Sequence, residues 1–361
     1  MKILKLHGHK NNTGGIVNFQ NSLAVYTKQS KLRYLYFRTG KKQDSAFLSK
    51  PFIRFFDQVL SYFYYPFYLL FHNPKVVEIN SSLVPGAFKR DYIYAKITAL
   101  VNPKARLVLF NHGWNYDFKN SLLQNNKKKL QSYFAMFDDI ILLAKTFKIE
   151  LQDELNIEEK KIHIITTAIN ILEYKDYRIS SSSSKKLNIL FLSRIEKTKG
   201  IDELLQAIPR VLKEHPHTHF NIAGTGSYLN TLKSHEIYNA YSKNITLNGY
   251  VRNTEKLSLF KKNHIFVFPS HGEGCPVSVL EALAVGLPII YTKVGALPDI
   301  LVDNKNGICI SQNSINELAK AIITLISNNE LRNQFHINNL KLSKQFDLSI
   351  ISEKLENIYT H

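Results

Sequence analysis

Cysteine, methionine and tryptophan are scarce in this sequence, whose 361 residues include two Cys, two Met and one Trp. The cysteines, Cys275 and Cys309, form no Cys-x-x-Cys pair, which excludes a disulfide framework and a zinc site of the usual spacing. No uninterrupted apolar run reaches about 18 residues, so no transmembrane helix is predicted. The apolar stretch within residues 1–12 is too short for a signal peptide. We therefore expect a cytoplasmic protein.

Acidic residues are also outnumbered, with 29 Asp and Glu against 47 Lys and Arg and a net charge of +18. Residues 1–180 hold 27 basic and 14 acidic residues (27 − 14 = +13), whereas residues 181–361 hold 20 and 15 (20 − 15 = +5). A positive first half favours an acidic partner such as an anionic membrane surface, although lysines that serve only solubility explain it equally well. Neither a helix-turn-helix nor an RNA-binding aromatic spacing is found, so no nucleic-acid partner is expected.

Two runs of alternating strand and helix patterns predict two α/β domains, each with a doubly wound parallel sheet. The serines and lysines of residues 179–186 predict a flexible linker between an N-terminal domain at 1–178 and a C-terminal domain at 187–345. Residues 346–361 predict a final helix. The predicted strands are Ile3–Leu6, Arg33–Arg38, Val76–Asn80, Arg106–Asn111, Ile140–Ala144, Ile162–Thr166, Leu187–Leu192, His219–Ala223, Ile245–Tyr250, Ile265–Phe268 and Ile289–Thr292.

An aromatic segment interrupts the first run. Ten of the residues 51–71 are Phe or Tyr, and only Arg54 and Asp57 are charged. The segment is too short, and too interrupted by Pro66, to span a bilayer. Two interpretations stay open: a helix packed on the sheet with its aromatics in the core, or a helix that inserts into a membrane interface.

The stretch from Ile265 to Thr292 predicts an anion-binding strand–loop–helix. Pro276 opens a helix over Val277–Val285, and the free amides of its first turn carry the positive helix end. Such a loop lies at the carboxyl edge of a parallel sheet, where open α/β folds bind ligands. Glu273 and Glu281 flank it, and carboxylates accept hydrogen bonds from hydroxyls. An anion with hydroxyls on both sides indicates a nucleotide sugar.

Two cations follow the first strand of the second domain. Arg194 and Lys199 lie five residues apart between a strand and a helix, where they can bracket a diphosphate. Positive charge there would stabilise a departing diphosphate. No Asp-x-Asp pair or His/Asp cluster indicates a metal site, so we expect metal-independent activity without a cofactor.

The segment E-G-C-P-V-S-V-L-E-A-L-A-V-G-L-P-I-I, beginning at Glu273, resembles the E-x7-E signature of the retaining GT-B glycosyltransferases of family four. The resemblance implies two Rossmann-like domains that face each other across a cleft, and a last helix that crosses back to the first domain. It implies that Glu273 contacts the donor sugar, that Glu281 contacts the ribose, and that Arg194 and Lys199 grip the phosphates. It also implies a donor-sugar contact for His112, which ends a predicted strand.

The same resemblance implies further contacts with the nucleotide sugar. The expected donor-binding residues are Gly14, Gly15, Gly224, Gly226, Tyr250, Val251, Gly274, Cys275, Pro276, Val277 and Ser278. On the acceptor side, we expect Trp114, Asn115 and Tyr116.

We therefore predict a hexosyltransferase-type enzyme that moves a sugar from a UDP-sugar, or second a GDP-sugar, to a hydroxyl of a glycan acceptor. A lipid-linked acceptor at the inner face of the cytoplasmic membrane fits the basic, aromatic first domain, as in lipopolysaccharide, O-antigen or capsule synthesis. Two alternatives stay open. One is another GT-B enzyme, such as a sugar-nucleotide epimerase or a soluble glucan synthase, and the other is a non-catalytic basic protein that binds nucleotide or nucleic acid.

Overall fold

The computed structural model describes residues 1–8, 15–27, 30–39, 51–177 and 187–361. The chain divides into two compact units, of which the first comprises Met1–Thr167 and Leu348–His361 and the second Ala168–Asp347. The predicted linker, residues 179–186, lies outside the described residues. Each unit is built on a parallel sheet, which confirms the predicted fold class.

Within its described residues, the first unit holds a parallel sheet of six strands in the order β2-β1-β3-β4-β5-β6. The strands are β1 (Lys2–His7), β2 (Arg33–Arg38), β3 (Val76–Leu83), β4 (Arg106–Trp114), β5 (Asp139–Leu142) and β6 (Ile162–Ile164). The connecting helices are α1 (Gly15–Tyr26), α2 (Pro51–His72), α3 (Pro85–Val101), α4 (Tyr116–Ala135) and α5 (Lys145–Leu155). The chain reverses its direction of travel across the sheet between β1 and β3, which is where such sheets bind ligands.

The aromatic segment forms helix α2, with some of its aromatic side chains buried and others exposed. One face packs against α3, where the Tyr65 hydroxyl lies 2.7 Å from Thr98 Oγ1 and the Tyr65 ring meets the Tyr94 ring edge-on. The other face exposes a stripe of large apolar side chains at helical spacing. The stripe consists of Phe55, Phe56, Leu60, Phe63, Tyr64, Phe67, Leu70 and Phe71. In the described part of the chain, no helix has both the length and the apolar character that a bilayer crossing requires.

Within its described residues, the second unit holds a parallel sheet of six strands in the order β12-β11-β10-β7-β8-β9. The strands are β7 (Asn188–Leu192), β8 (His219–Ala223), β9 (Ile245–Gly249), β10 (Ile265–Phe268), β11 (Ile289–Thr292) and β12 (Gly307–Ile310). The helices are α6 (Ile201–Glu214), α7 (Leu229–Ser234), α8 (Glu236–Ala240), α9 (Asn253–Lys262), α10 (Val277–Val285), α11 (Leu297–Ile300), α12 (Ile315–Ser327) and α13 (Asn329–Ser343). Here the direction reverses between β7 and β10.

The final helix, α14 (Leu348–Thr360), belongs to the first unit. It packs beside α1, and its Tyr359 is buried against a buried ion pair between Lys5 and Glu78, whose Nζ and Oε1 atoms lie 3.3 Å apart. Lys5 Nζ donates to the Tyr359 hydroxyl at 3.1 Å, and that hydroxyl donates to Glu78. A buried ion pair is stable only when its remaining hydrogen-bonding capacity is satisfied, so α14 completes the core of this unit.

The predicted elements differ from the observed ones mainly at their ends. Strand β6 ends at Ile164 rather than Thr166, and β5 covers Asp139–Leu142 rather than Ile140–Ala144. Strand β9 ends at Gly249, one residue before the predicted end. Strand β12 was not predicted, because four residues that begin with glycine and include Cys309 carry too weak a strand signal.

Candidate functional site

The carboxyl edge of the second sheet gathers the loops that follow β7, β8 and β10. β7 pairs with both β8 and β10, so these loops emerge side by side. The loops after β7 and β10 also flank the point where the sheet changes direction, which is the usual binding position in open α/β sheets.

Two glycines let the loop after β8 lie directly on the loop after β7. Ser193 N–H donates to the Ala223 carbonyl at 3.2 Å, and Ile195 N–H donates to the Thr225 carbonyl at 3.0 Å. A Cβ atom on Gly224 would lie 1.8 Å from the Ser193 carbonyl oxygen, and Gly224 has a φ of +136°. Only glycine fits such an approach, so Gly224 and its neighbour Gly226 shape the edge of the site.

Lys199 and Glu273 meet at the direction change. Lys199 Nζ lies 2.6 Å from Glu273 Oε1 and 3.1 Å from the Gly272 carbonyl oxygen. The Ser270 hydroxyl donates to the same Glu273 oxygen at 3.0 Å. Both the lysine and the glutamate side chains are largely buried, so the pair is a preorganised charged centre rather than two surface residues.

Arg194 is placed differently. Its side chain is 69% exposed, and its guanidinium donates to Glu196 Oε1 at 2.8 Å. The structure thus brings Lys199 to Glu273 in the buried part of the site and leaves Arg194 at its solvent edge.

Helix α10 begins beside the Lys199–Glu273 pair with an open positive end. Pro276 is its N-cap, and the helix covers Val277–Val285 as predicted. Among the residues that the structure describes, no side chain caps the helix, and its first turn holds no acidic residue. The following amides, including those of Val277 and Ser278, give the helix end the partial positive charge that attracts an anion. Gly274 and Cys275 connect the pair to this end, and the Gly274 carbonyl accepts from Ala296 N–H at 2.8 Å.

Glu281, on the second turn of α10, is buried and has two partners. Its Oε1 accepts from the Tyr174 hydroxyl at 2.7 Å, and Lys256 on α9 forms an ion pair with the same oxygen. Burial and the neighbouring carboxylate raise the pKa of Tyr174 well above its usual range. The sequence analysis missed both partners, although a buried helical carboxylate requires one.

Tyr250 and Val251 follow β9, where Tyr250 is exposed. They border an open cavity of about 530 Å³ along the side of α9. The cavity is also lined by Asn248, Thr254, Glu255, Ser258, Leu259 and Lys262.

In the first unit, His112 lies near the carboxyl end of β4 and is buried. Its ring stacks on Phe110 with centroids 4.0 Å apart, and its Nε2 lies 2.8 Å from Asn80 Oδ1. Burial, and secondarily the charge of Lys5, lower the pKa of His112 to about 3. Of the predicted glycines of this unit, Gly15 is the first residue of α1, whereas Gly14 lies outside the described residues.

The three residues predicted on the acceptor side have local partners. Asn115 is the N-cap of α4, where its Oδ1 accepts from Phe118 N–H at 2.7 Å. Trp114 stacks on Phe147 and donates to Glu150 Oε2 at 3.0 Å, and the half-exposed Tyr116 donates to the other Glu150 oxygen at 3.2 Å. Trp114 and Tyr116 thus frame Glu150, whereas Asn115 starts a helix.

Residues 174–342 match the family model described as "Glycosyl transferases group 1". Among curated relatives, the capsular polysaccharide biosynthesis glycosyltransferase CapM of Staphylococcus aureus is 26% identical over 309 residues, which cover 81% of this chain and 78% of CapM. The uncharacterized glycosyltransferase MJ1607 of Methanocaldococcus jannaschii is 26% identical over 235 residues, which cover 61% of this chain and 59% of MJ1607.

Solved structures resemble the whole chain. Anabaena Alr3699/HepE in complex with UDP superposes with a TM-score of 0.75 at 14% identity, and the match covers 100% of both chains. At this identity the likeness shows the fold, which is a GT-B fold of two Rossmann-like domains.

Proposed function

From the match of residues 174–342 to the group 1 glycosyltransferases, we propose that the chain transfers a sugar from a UDP-sugar to a hydroxyl of a glycan acceptor with retention of configuration. The observation that carries the proposal is the buried Lys199–Glu273 pair beside the uncapped start of α10. It joins a fixed cation, a carboxylate and a helix N-terminus at the direction change of one sheet. A diphosphate that bears a sugar is a ligand that uses all three.

The donor phosphates are assigned to the cationic side of this centre. Lys199 and the first-turn amides of α10 hold the diphosphate, and Arg194 turns from Glu196 to it. These groups oppose the negative charge that builds on the diphosphate as the bond to the sugar breaks. Lys199 and the amides are fixed before the ligand arrives, so of these groups only Arg194 has to reorient.

The carboxylates are assigned to hydroxyls on either side of the diphosphate. Glu273 offers its second oxygen to the sugar while Lys199 holds the first. Glu281 accepts from the ribose, and Tyr174 and Lys256 fix its position. UDP is the preferred nucleotide because HepE, which shares the fold, was solved with UDP. A GDP-sugar is the second choice.

The transfer is assigned to same-face attack. The bond between the anomeric carbon and the diphosphate oxygen breaks, and its electron pair remains on the diphosphate. The acceptor oxygen bonds to the same face of the anomeric carbon, and its proton passes to the departing diphosphate oxygen. Retention then needs no covalent sugar–enzyme intermediate.

The acceptor is assigned to the membrane surface. Helix α2 exposes its apolar stripe, and residues 1–180 carry the excess of positive charge. Aromatic side chains favour the membrane interface, and basic residues favour anionic headgroups. CapM, the relative matched over most of its length, is named for capsular polysaccharide biosynthesis, which supports a glycan as the acceptor.

Liposome flotation tests the membrane assignment. The protein should float with vesicles that contain anionic lipid, and the double variant Phe63→Ser with Phe67→Ser should float less. A matched control replaces Leu100 and Ile149, exposed apolar residues on other helices of the same unit, with serine. Flotation that is equal in the two double variants would contradict a role for α2.

Product analysis tests the activity. UDP-, GDP- and ADP-sugars are incubated with and without a bacterial lipid extract, and the anomeric configuration of any glycolipid is determined. An epimerised nucleotide sugar without acceptor would favour the epimerase, a free glucan would favour the synthase, and binding without turnover would favour the non-catalytic alternative.

A further inference from the structure

The orientation of the buried Asn80 amide determines which ring nitrogen of His112 carries the hydrogen. Asn80 Nδ2 lies 3.2 Å from the Leu6 carbonyl oxygen and 2.8 Å from Glu78 Oε1, and both of these oxygens are acceptors. The atom that faces them must therefore be the amide nitrogen. The amide oxygen of Asn80 consequently faces Gln20 Nε2 at 2.5 Å and His112 Nε2 at 2.8 Å.

An oxygen acceptor at Nε2 requires the hydrogen of the imidazole to be on that nitrogen. In the neutral ring the other nitrogen, Nδ1, then carries a lone pair and can only accept. Within the described residues, His112 Nδ1 is buried and has no hydrogen-bond partner. Leaving a buried acceptor unpaired costs about 1–3 kcal/mol, so a donor that reaches it gains that free energy.

The surroundings of the ring hold it in this state. Phe110 stacks on one face of the imidazole ring, and Phe19 packs against the ring in an edge-to-face arrangement. Only 8% of the residue is exposed. The Lys5–Glu78 ion pair lies in the same network through Asn80, and the Lys5 charge opposes protonation of the ring.

We propose that Asn80 is a positioning residue that fixes His112 as the Nε2–H tautomer, so that Nδ1 accepts a hydrogen bond from a sugar hydroxyl of a substrate. Gln20, which donates to the same Asn80 oxygen, supports that orientation from α1. This inference rests on the proposed function, and it deepens it by giving His112 the role of a hydrogen-bond acceptor rather than a donor, acid or base. A substrate position that lacks a donating hydrogen would be discriminated against.

Nitrogen-15 NMR of histidine-labelled protein tests the tautomer without any substrate. His112, assigned by the signal lost in His112→Gln, should show a hydrogen on Nε2 and none on Nδ1. In Asn80→Leu that preference should be lost, whereas Gln20→Met, which leaves the Asn80–His112 hydrogen bond in place, should retain it. A hydrogen on Nδ1 in the wild-type protein would overturn the proposal even if Asn80→Leu does not fold.

Addition of substrates then tests which hydroxyl donates to Nδ1 of His112. UDP-, GDP- and ADP-glucose are added with binding followed by calorimetry, and UDP and methyl glucoside are added separately. A change at Nδ1 with the nucleotide sugar but not with UDP assigns the hydroxyl to the donor, and a change with methyl glucoside assigns it to the acceptor. Binding of a nucleotide sugar without a change at Nδ1 in any sample would overturn this inference alone. Failure of every nucleotide sugar to bind would overturn the proposed function and the substrate role of Nδ1 with it, while leaving the tautomer measured.

Discussion

The carboxyl edges of the two sheets differ in how their polar groups are held. In the second unit, Lys199, Glu273, Lys256 and Glu281 form charged pairs whose partners come from separate elements. In the first unit, the corresponding edge presents the neutral ring of His112, packed between aromatic residues and oriented by Asn80. Charged pairs suit a phosphate, and a neutral acceptor suits a hydroxyl. We therefore expect the two edges to recognise different groups, because different side chains lie at their strand ends.

Of the changes that test this comparison, Lys199→Ala should have the largest effect on activity. Removal of the buried cation leaves Glu273 without its partner and the diphosphate without its charge, so kcat should fall by about 100- to 1000-fold, or roughly 3 kcal/mol. Steady-state kinetics with the preferred nucleotide sugar measures this. Lys197→Ala is the matched control, because Lys197 lies in the same turn and is exposed. Equal losses in the two variants would contradict the assignment.

Arg194→Ala should reduce turnover less than Lys199→Ala does. An exposed guanidinium is well solvated and contributes less than a buried cation, so we expect turnover to fall by about ten- to a hundredfold. Circular dichroism should show an unchanged fold. Wild-type turnover in this variant would refute its contact with the diphosphate.

For the neutral His112 of the first unit, the lowered pKa predicts a loss of folding stability at acid pH. The unfolded chain binds a proton on His112 near pH 6.5, whereas the folded chain does so only near the lowered pKa of about 3. Unfolding therefore takes up a proton between these values, and this residue's contribution to stability is complete above pH 6.5 and decreases as pH falls towards 3. The expected slope is about 1.4 kcal/mol per pH unit. Urea titrations should show a steeper acid loss for wild type than for His112→Gln, and parallel curves would contradict the lowered pKa.

A chelator should have the smallest effect. Lys199 and Arg194 supply the positive charge in the proposed mechanism, so activity should persist in EDTA. Loss of activity that added Mg²⁺ or Mn²⁺ restores would show that a metal supplies part of that charge.

Sequence patterns predicted the strands of the two sheets well, but they did not predict which side chains contact each other. Continuous apolar strands, the E-x7-E segment that begins at Glu273 and the strand-end position of Lys199 are local signals, which is why both residues were predicted. Their pairing joins residues 74 positions apart, and the Tyr174–Glu281 bond joins residues 107 apart, so neither has a local signal. Asn80 was missed for the same reason, since its role depends on Leu6, Gln20 and His112 from three other elements. For Asn115, the structure adds a local role as the N-cap of α4, and its contact with the acceptor stays a prediction.

The return of α14 to the first unit has a consequence for biosynthesis. Tyr359 can join the Lys5–Glu78 pair only once α14 has been synthesised, which follows the whole of the second unit. The first unit to be translated is thus the last whose core can close, although domains made early generally fold early. Until α14 has been made, the buried Lys5–Glu78 pair lacks the Tyr359 hydroxyl, and we expect a chain that stops before residue 348 to fold less stably.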